Sequence, residues 1–99
     1  MDDESFMWID GVGSEIWKNK KGERHRLGGP AYISKDGRED WYKDGKWHRL
    51  NGPAVIIPSR NKRYWYIGGK QFYTKEDYFN ALPDEAKTKC LFSKDFLNG

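Results

Sequence analysis

Ninety-nine residues with a formal net charge of +3 leave room for one modest hydrophobic core and for no deep cleft between two lobes, which counts against an enzyme. No apolar run approaches a bilayer span, and the acidic start Met1-Asp2-Asp3-Glu4 is the reverse of a signal peptide's basic head. The one cysteine, Cys90, has no partner for an internal disulfide, so the expectation is a soluble protein of a reducing cytoplasm.

Charge divides the chain. Residues 1–16 carry five acids and no Lys or Arg, residues 17–70 carry 14 Lys and Arg against five acids, and residues 71–99 carry four against five. Four of the five Trp lie in the basic block, so cations and flat rings alternate there. That mixture suits a polyanion with exposed bases. It equally suits small β-repeats that use aromatics as core and Lys as solvated edge protection.

Taken in order, the acidic segment 1–16 comes first, and Trp8-Ile9-Asp10-Gly11 within it resembles the stub of a repeat. The repeats follow. Gly22-Glu23-Arg24-His25-Arg26-Leu27-Gly28-Gly29-Pro30-Ala31 returns as Gly45-Lys46-Trp47-His48-Arg49-Leu50-Asn51-Gly52-Pro53-Ala54, and Trp41-Tyr42-Lys43-Asp44-Gly45-Lys46 returns as Trp65-Tyr66-Ile67-Gly68-Gly69-Lys70. Self-similarity on this scale makes fold and function properties of a short tandem array. Period-2 patterning predicts strands at 14–20, 23–27, 31–35, 38–43, 46–50, 54–57, 63–67 and 70–73. Lys21-Gly22, Asp36-Gly37, Asp44-Gly45 and Gly68-Gly69 read as hairpin turns, and the two Gly-Pro-Ala elements as corners.

Two-residue turns fix a register that sorts the side chains. About Asp44-Gly45, one face carries Trp41, His48 and Leu50 and the other Asp40, Tyr42, Trp47 and Arg49. About Lys21-Gly22, Ile16, Lys18, His25 and Leu27 oppose Trp17, Asn19, Arg24 and Arg26; about Gly68-Gly69, Trp65 and Phe72 oppose Tyr64, Tyr66, Gln71 and Tyr73. The Asp36-Gly37 register stays open between a two-residue turn and a three-residue loop. After Tyr73 the period becomes helical: Thr74 is the N-cap of a helix ended by Pro83, a second helix covers about 84 to 92, and Phe96-Leu97 form a final apolar anchor. The predicted fold is one domain, mainly β: a twisted antiparallel meander of hairpin repeats over residues 17–73, capped by two short helices within residues 74–99.

The His-Arg-x-x-Gly-Pro-Ala signature resembles tandem repeats of the form Trp-Tyr-x-Asp-Gly-Lys-x-His-Arg-x-x-Gly-Pro-Ala in small proteins of tailed bacteriophages, which are similar to MORN repeats. The resemblance covers residues 17–73. It implies rows of hairpins that serve as binding or scaffolding surfaces, and a phage accessory role such as countering a host defence. The third copy departs from it, with Gln71-Phe72 read where His-Arg is expected and no Gly-Pro-Ala after it.

Two sets of repeated residues are the site candidates. His25 and His48 are about 10 Å apart on equivalent hairpins, too far to share a metal, so each either donates to the backbone carbonyl of the neighbouring corner or contacts a ligand. Arg24, Arg26 and Arg49, displayed to solvent on the face opposite the imidazoles with Trp17, Tyr42, Trp47, Tyr64 and Tyr66 as stacking platforms, would suit a nucleotide or nucleic acid. The competing reading of the arginines is an Arg49–Asp40 pair and cation–π stacking that tie units together. No serine lies in a nucleophile elbow, Cys90 has no nearby His in sequence, and no phosphate-cradling glycine loop is present, so neither catalysis nor a cofactor is expected. The leading expectation is a non-enzymatic module capturing an anionic nucleotide or nucleic acid. The alternatives are an inhibitor docking on a host protein, or a repeat that self-associates into an oligomer through an open sheet edge.

Overall fold

Each repeat builds the same path: a strand enters a sheet, bends at a tryptophan, turns back through a hairpin, and leaves through His-Arg-Leu to a Gly-Pro-Ala corner. The computed structural model describes residues 4–98; Asp2 and Asp3 of the acidic segment lie outside them. Nine strands form, β1 (Phe6–Ile9), β2 (Glu15–Lys18), β3 (Tyr32–Ile33), β4 (Glu39–Asp40), β5 (Tyr42–Lys43), β6 (Lys46–Trp47), β7 (Val55–Ile57), β8 (Lys62–Ile67) and β9 (Lys70–Phe72). Seven make an open antiparallel sheet in the order β1-β2-β3-β4-β7-β8-β9, while β5 and β6 stand apart as a separate hairpin. The fold is therefore the expected β-meander with one excursion.

That excursion begins where the expected strand 38–43 breaks. The amide of Trp41 donates to Ala54 O at 2.6 Å, on the sheet side, whereas Trp41 O accepts from His48 N at 2.9 Å, on the hairpin side. Trp17 divides its bonds in the same way, between Ala31 O at 2.7 Å and His25 N at 3.0 Å. Successive hairpins also pair: Arg26 N donates to Tyr42 O and Gly45 N to Arg24 O, and one unit later Arg49 N donates to Tyr66 O and Gly69 N to Trp47 O.

The turns at Asp44-Gly45 and Gly68-Gly69 hold the expected register, with Tyr42 opposite Trp47 and Trp65 opposite Phe72. Asp44 and Gly45 both have positive φ, 49° and 82°, as a two-residue turn with the twist of the strands requires. Lys21-Gly22 does not behave this way. Residues 20–22 form a three-residue loop because the Asn19 carboxamide oxygen accepts from both Lys21 N and Glu23 N, so Arg24 lies opposite Lys18 and His25 N bonds Trp17 O. His25 and Leu27 consequently belong with Trp17, not with Lys18 as the two-residue reading had it. The same alignment corrects the third copy: Phe72 and Tyr73 occupy the His-Arg positions, and Gln71 matches Trp47. The Asp36-Gly37 loop closes as a three-residue one, through Gly37 N to Ser34 O and Ser34 N to Arg38 O.

The two expected C-terminal helices form as α1 (Lys75–Ala81) and α2 (Asp84–Cys90), and a third, α3 (Lys94–Asn98), follows them. Thr74 caps α1 as expected, its hydroxyl accepting from Asp77 N at 3.0 Å. The anchor at Phe96 is itself helical, with Phe96 buried and Leu97 exposed. Short helices gain stability from burying one face, and here Tyr78, Leu82, Ala86, Cys90 and Phe96 close over Trp65 to form the apolar core. The Tyr78 hydroxyl donates to Arg49 O, joining this core to the corner of the second repeat. Among the described residues no helix is long and apolar enough to cross a membrane.

The corners explain the glycine of Gly-Pro-Ala. A Cβ at Gly52 would stand 2.9 Å from Arg49 Cζ and 3.1 Å from Asp95 Cβ, and one at Gly29 would stand 2.8 Å from Arg26 Cζ. Gly52→Ala is expected to destabilise the protein by about 1–3 kcal/mol in urea unfolding, more than Gly29→Ala, because Arg49 is locked from both sides and Arg26 from one. Gly11→Ala, with open space around it, should change the midpoint little. Tyr78→Phe should cost about 1–3 kcal/mol in the same experiment, since it leaves the buried Arg49 carbonyl without its donor.

Candidate binding surface

The repeated His-Arg pairs serve as internal fastenings of the array. His25 is fully buried, and its Nδ1 accepts the amide of Asp44 at 3.0 Å; His48 Nδ1 accepts the amide of Gly68 at 2.8 Å. Each imidazole thus latches the turn of the next hairpin. The sequence suggested a bond to backbone, but the imidazole accepts from N–H instead of donating to a carbonyl. An accepting Nδ1 puts the neutral ring's proton on Nε2. At His25 the Asp44 carboxylate also lies 3.3 Å from Nδ1. His48 has no such carboxylate. Its burial, and then the charge of Lys43, lower its pKa from the usual 6.5.

The guanidiniums are equally committed. Arg26 Cζ sits 3.9 Å from the Trp17 ring centre and Arg49 Cζ 3.7 Å from that of Trp41. Arg26 donates to Pro30 O at 3.1 Å; Arg49 donates to Pro53 O at 3.1 Å, to Asn51 Oδ1 at 2.9 Å and to the carboxylate of Asp95. Arg49 is only 4% exposed, packed beneath the C-terminal helices. The expected solvent-facing array of Arg26, Arg49 and Trp17 is therefore not formed. The cause is the bend at Trp41, which ends the hairpin before Arg49 can face Asp40 and lets its side chain fold back over the indole. Asp40 pairs with Arg38 instead, at 2.8 and 3.1 Å.

What remains on the opposite side is a trough made of two rows. Ladder pairing aligns Ile16, Tyr32, Asp40, Val55 and Tyr64 along the main sheet. The hairpins contribute the second row, Arg24, Tyr42, Trp47, Tyr66 and Gln71, set at an angle by the tryptophan bends. Two neighbouring hollows of about 350 and 190 Å³ lie between the rows and share Arg38 and Trp47 as walls. Trp47 is the centre. Its ring lies 5.8 Å from Tyr42 and 4.9 Å from Tyr66, and its Nε1 donates to Asp40 Oδ2 at 3.1 Å. Asp40 is 2% exposed, so its charge is spent on Arg38 and Trp47. Its carboxylate in turn raises the pKa of Arg38. Arg24 alone of the trough's guanidiniums has no carboxylate within ion-pair distance among the described residues; it leans between the rings of Tyr32 and Tyr42, 5.1 and 5.5 Å from their centres.

Of the residues singled out in the sequence, Arg24, Tyr42, Trp47, Tyr64 and Tyr66 meet in the trough, whereas Trp17, Arg26, Arg49, His25 and His48 build the scaffold behind it. Tyr32 and Arg38 were missed. Their signal was the Ser34–Arg38 loop: a three-residue reading there puts Tyr32 opposite Asp40 and on the face of Tyr42. Comparison with protein-family models, with curated proteins and with solved structures gives no match.

The His48 latch carries a pH dependence. A folded pKa below 6.5 means that its contribution is whole above that value and is lost as pH falls from there through the lowered folded value. The urea midpoint should drop between about pH 7.5 and about pH 5.5, and drop less in His48→Gln, whose amide oxygen still accepts an N–H but does not titrate.

Proposed function

We propose that this chain is a non-enzymatic binding module that seats a segment of a partner protein in its aromatic trough. The observation that carries the proposal is Trp47, an indole fixed by two flanking tyrosines and a buried carboxylate, at the centre of a hollow rimmed by guanidiniums. Rigid Trp and Tyr with adjacent Arg is the composition of energetic hot spots in protein interfaces, because large amphipathic rings bury area at small entropic cost. The groups that acid–base catalysis would recruit are already engaged: both imidazoles accept turn amides, and burial pushes the Cys90 thiol up, away from the reactive thiolate. The likeness of the repeats to those of small tailed-phage proteins directs the search for a partner to proteins of a bacterial host and to a role in countering defence.

A second reading rests on Arg24. A guanidinium between two tyrosine rings, beside stacking surfaces, suits a nucleotide whose base lies on Trp47 and whose phosphate meets Arg24. The same trough would serve it, but one free guanidinium replaces the array of three that the sequence suggested.

Immobilised protein should retain one host protein from lysate, insensitively to nuclease, and Trp47→Ala should weaken the isolated complex by at least about 30-fold while circular dichroism stays unchanged. Calorimetric titration with cyclic dinucleotides, cyclic oligonucleotides, NAD-derived signals and single-stranded RNA tests the other reading, which requires salt-dependent binding lost in Arg24→Ala. If Trp47→Ala leaves capture unchanged and the nucleotide panel gives no heat, the trough is not the site.

A further inference from the structure

The second corner of the array is covered and the first is bare, although both are built alike. At the covered corner, Leu50 O accepts from Cys90 Sγ at 3.1 Å, Asn51 O accepts from Ser93 Oγ at 2.8 Å, and Arg49 pairs with Asp95. The three partners come from the end of α2, the loop after it and the first turn of α3. The equivalent groups of the first corner are Leu27 O, Gly28 O and Arg26. Among the described residues, none of the three receives such a partner: Arg26 keeps only its bond to Pro30 O, and Leu27 is 50% exposed. Gly28 stands where Asn51 stands, so the side-chain acceptor that engages Arg49 Nε is missing as well.

Beside this bare corner lies a cleft of about 290 Å³, behind the sheet and away from the trough, since Trp41 and His48 alternate with the trough residues Tyr42 and Trp47. Its walls include the cations Arg26 and Lys43 and the imidazole of His48, with Leu27, Trp41 and Leu50 as apolar lining, and among the described residues no carboxylate lines it. A hollow with cations on its walls and no acid complements a negative group.

We infer that the first corner is a docking site for an acidic segment of a partner protein, a short helical turn carrying serine and aspartate two residues apart. Within this molecule, Ser93 and Asp95 supply the template. The partner's serine hydroxyl would donate to Gly28 O, its aspartate would accept from the free edge of the Arg26 guanidinium with Lys43 nearby, and an apolar neighbour would cover Leu27. Charge assistance at a planar fork favours carboxylate there, and the ordered corner costs little to organise because Trp17 already holds Arg26 in place. The assignment is independent of what the trough binds.

The probe is a synthetic peptide copying residues 90–98, titrated into the intact protein and followed by backbone amide shifts. Saturable shifts at Leu27, Gly28 and Lys43 are expected, weakened about tenfold or more by an asparagine in place of the peptide's aspartate and by Lys43→Glu in the protein, a substitution at an exposed position that leaves the Trp17 stack alone. Arg26→Lys, which retains the charge but loses the fork, should weaken binding to an intermediate degree if the protein remains folded. Absence of saturable shifts, equal affinity for the aspartate and asparagine peptides, or shifts confined to the second corner would overturn the inference. Dimerisation on light scattering with loss of the Asp95 contact would make a second copy the occupant and overturn the assignment to a partner protein.

Discussion

A guanidinium held between an indole face and a glycine is the interaction on which the rest of this structure depends. Arg26 over Trp17 and Arg49 over Trp41 are the same device used twice, and each closes by donating to the carbonyl of the corner proline. A cation stacked on an indole is worth more as water is removed from it, and burying a charge is tolerable only where its donors are satisfied. Arg49, nearly inaccessible, meets both conditions with three acceptors and a ring. The glycine follows from the geometry, since any side chain there would enter the stack. The Gly-Pro-Ala signature is thus the back wall of an arginine site.

This device also decides where binding can occur. Because each bend turns the strand at its tryptophan, the hairpins lean against the sheet, and the angle between them creates the trough. Residues on one side of the bend go to scaffold and residues on the other go to surface. Tyr42 and Trp47 therefore face the trough while their neighbours Trp41 and His48 face the cleft behind it. Repetition marked both groups equally in the sequence, and only the bend separates them.

Much of the architecture was legible in the chain. The turns at Asp44-Gly45 and Gly68-Gly69 fixed their registers, the Thr74 cap and Pro83 marked the boundaries of α1, and alternation gave the antiparallel strands. Two misreadings have separate physical causes. Asn19, a side chain able to bond two turn amides at once, lengthened the first loop by one residue and moved Arg24 and His25 across the register. The tryptophan bend interrupted a run that period-2 reasoning carried straight through, so Arg49 was assigned to solvent. Strand β1 was visible only as a faint stub, since Phe6, Met7, Trp8 and Ile9 show no alternation and all stay exposed on the sheet edge. The trough could be guessed residue by residue but not assembled, because Tyr32 and Arg38 reach it through a loop whose length the sequence left open.

The imidazole latches give the array a direction. His25 grips the turn of the second hairpin and His48 that of the third, so each of these two is fastened by the one before it. At the third position the ring is that of Phe72, which has no nitrogen to offer, and it packs edge-on against Tyr78 of the helical cap instead. Propagation stops there. The latch is thus lost together with the arginine and the Gly-Pro-Ala corner, and the helical cap takes over the surface that a further hairpin would cover.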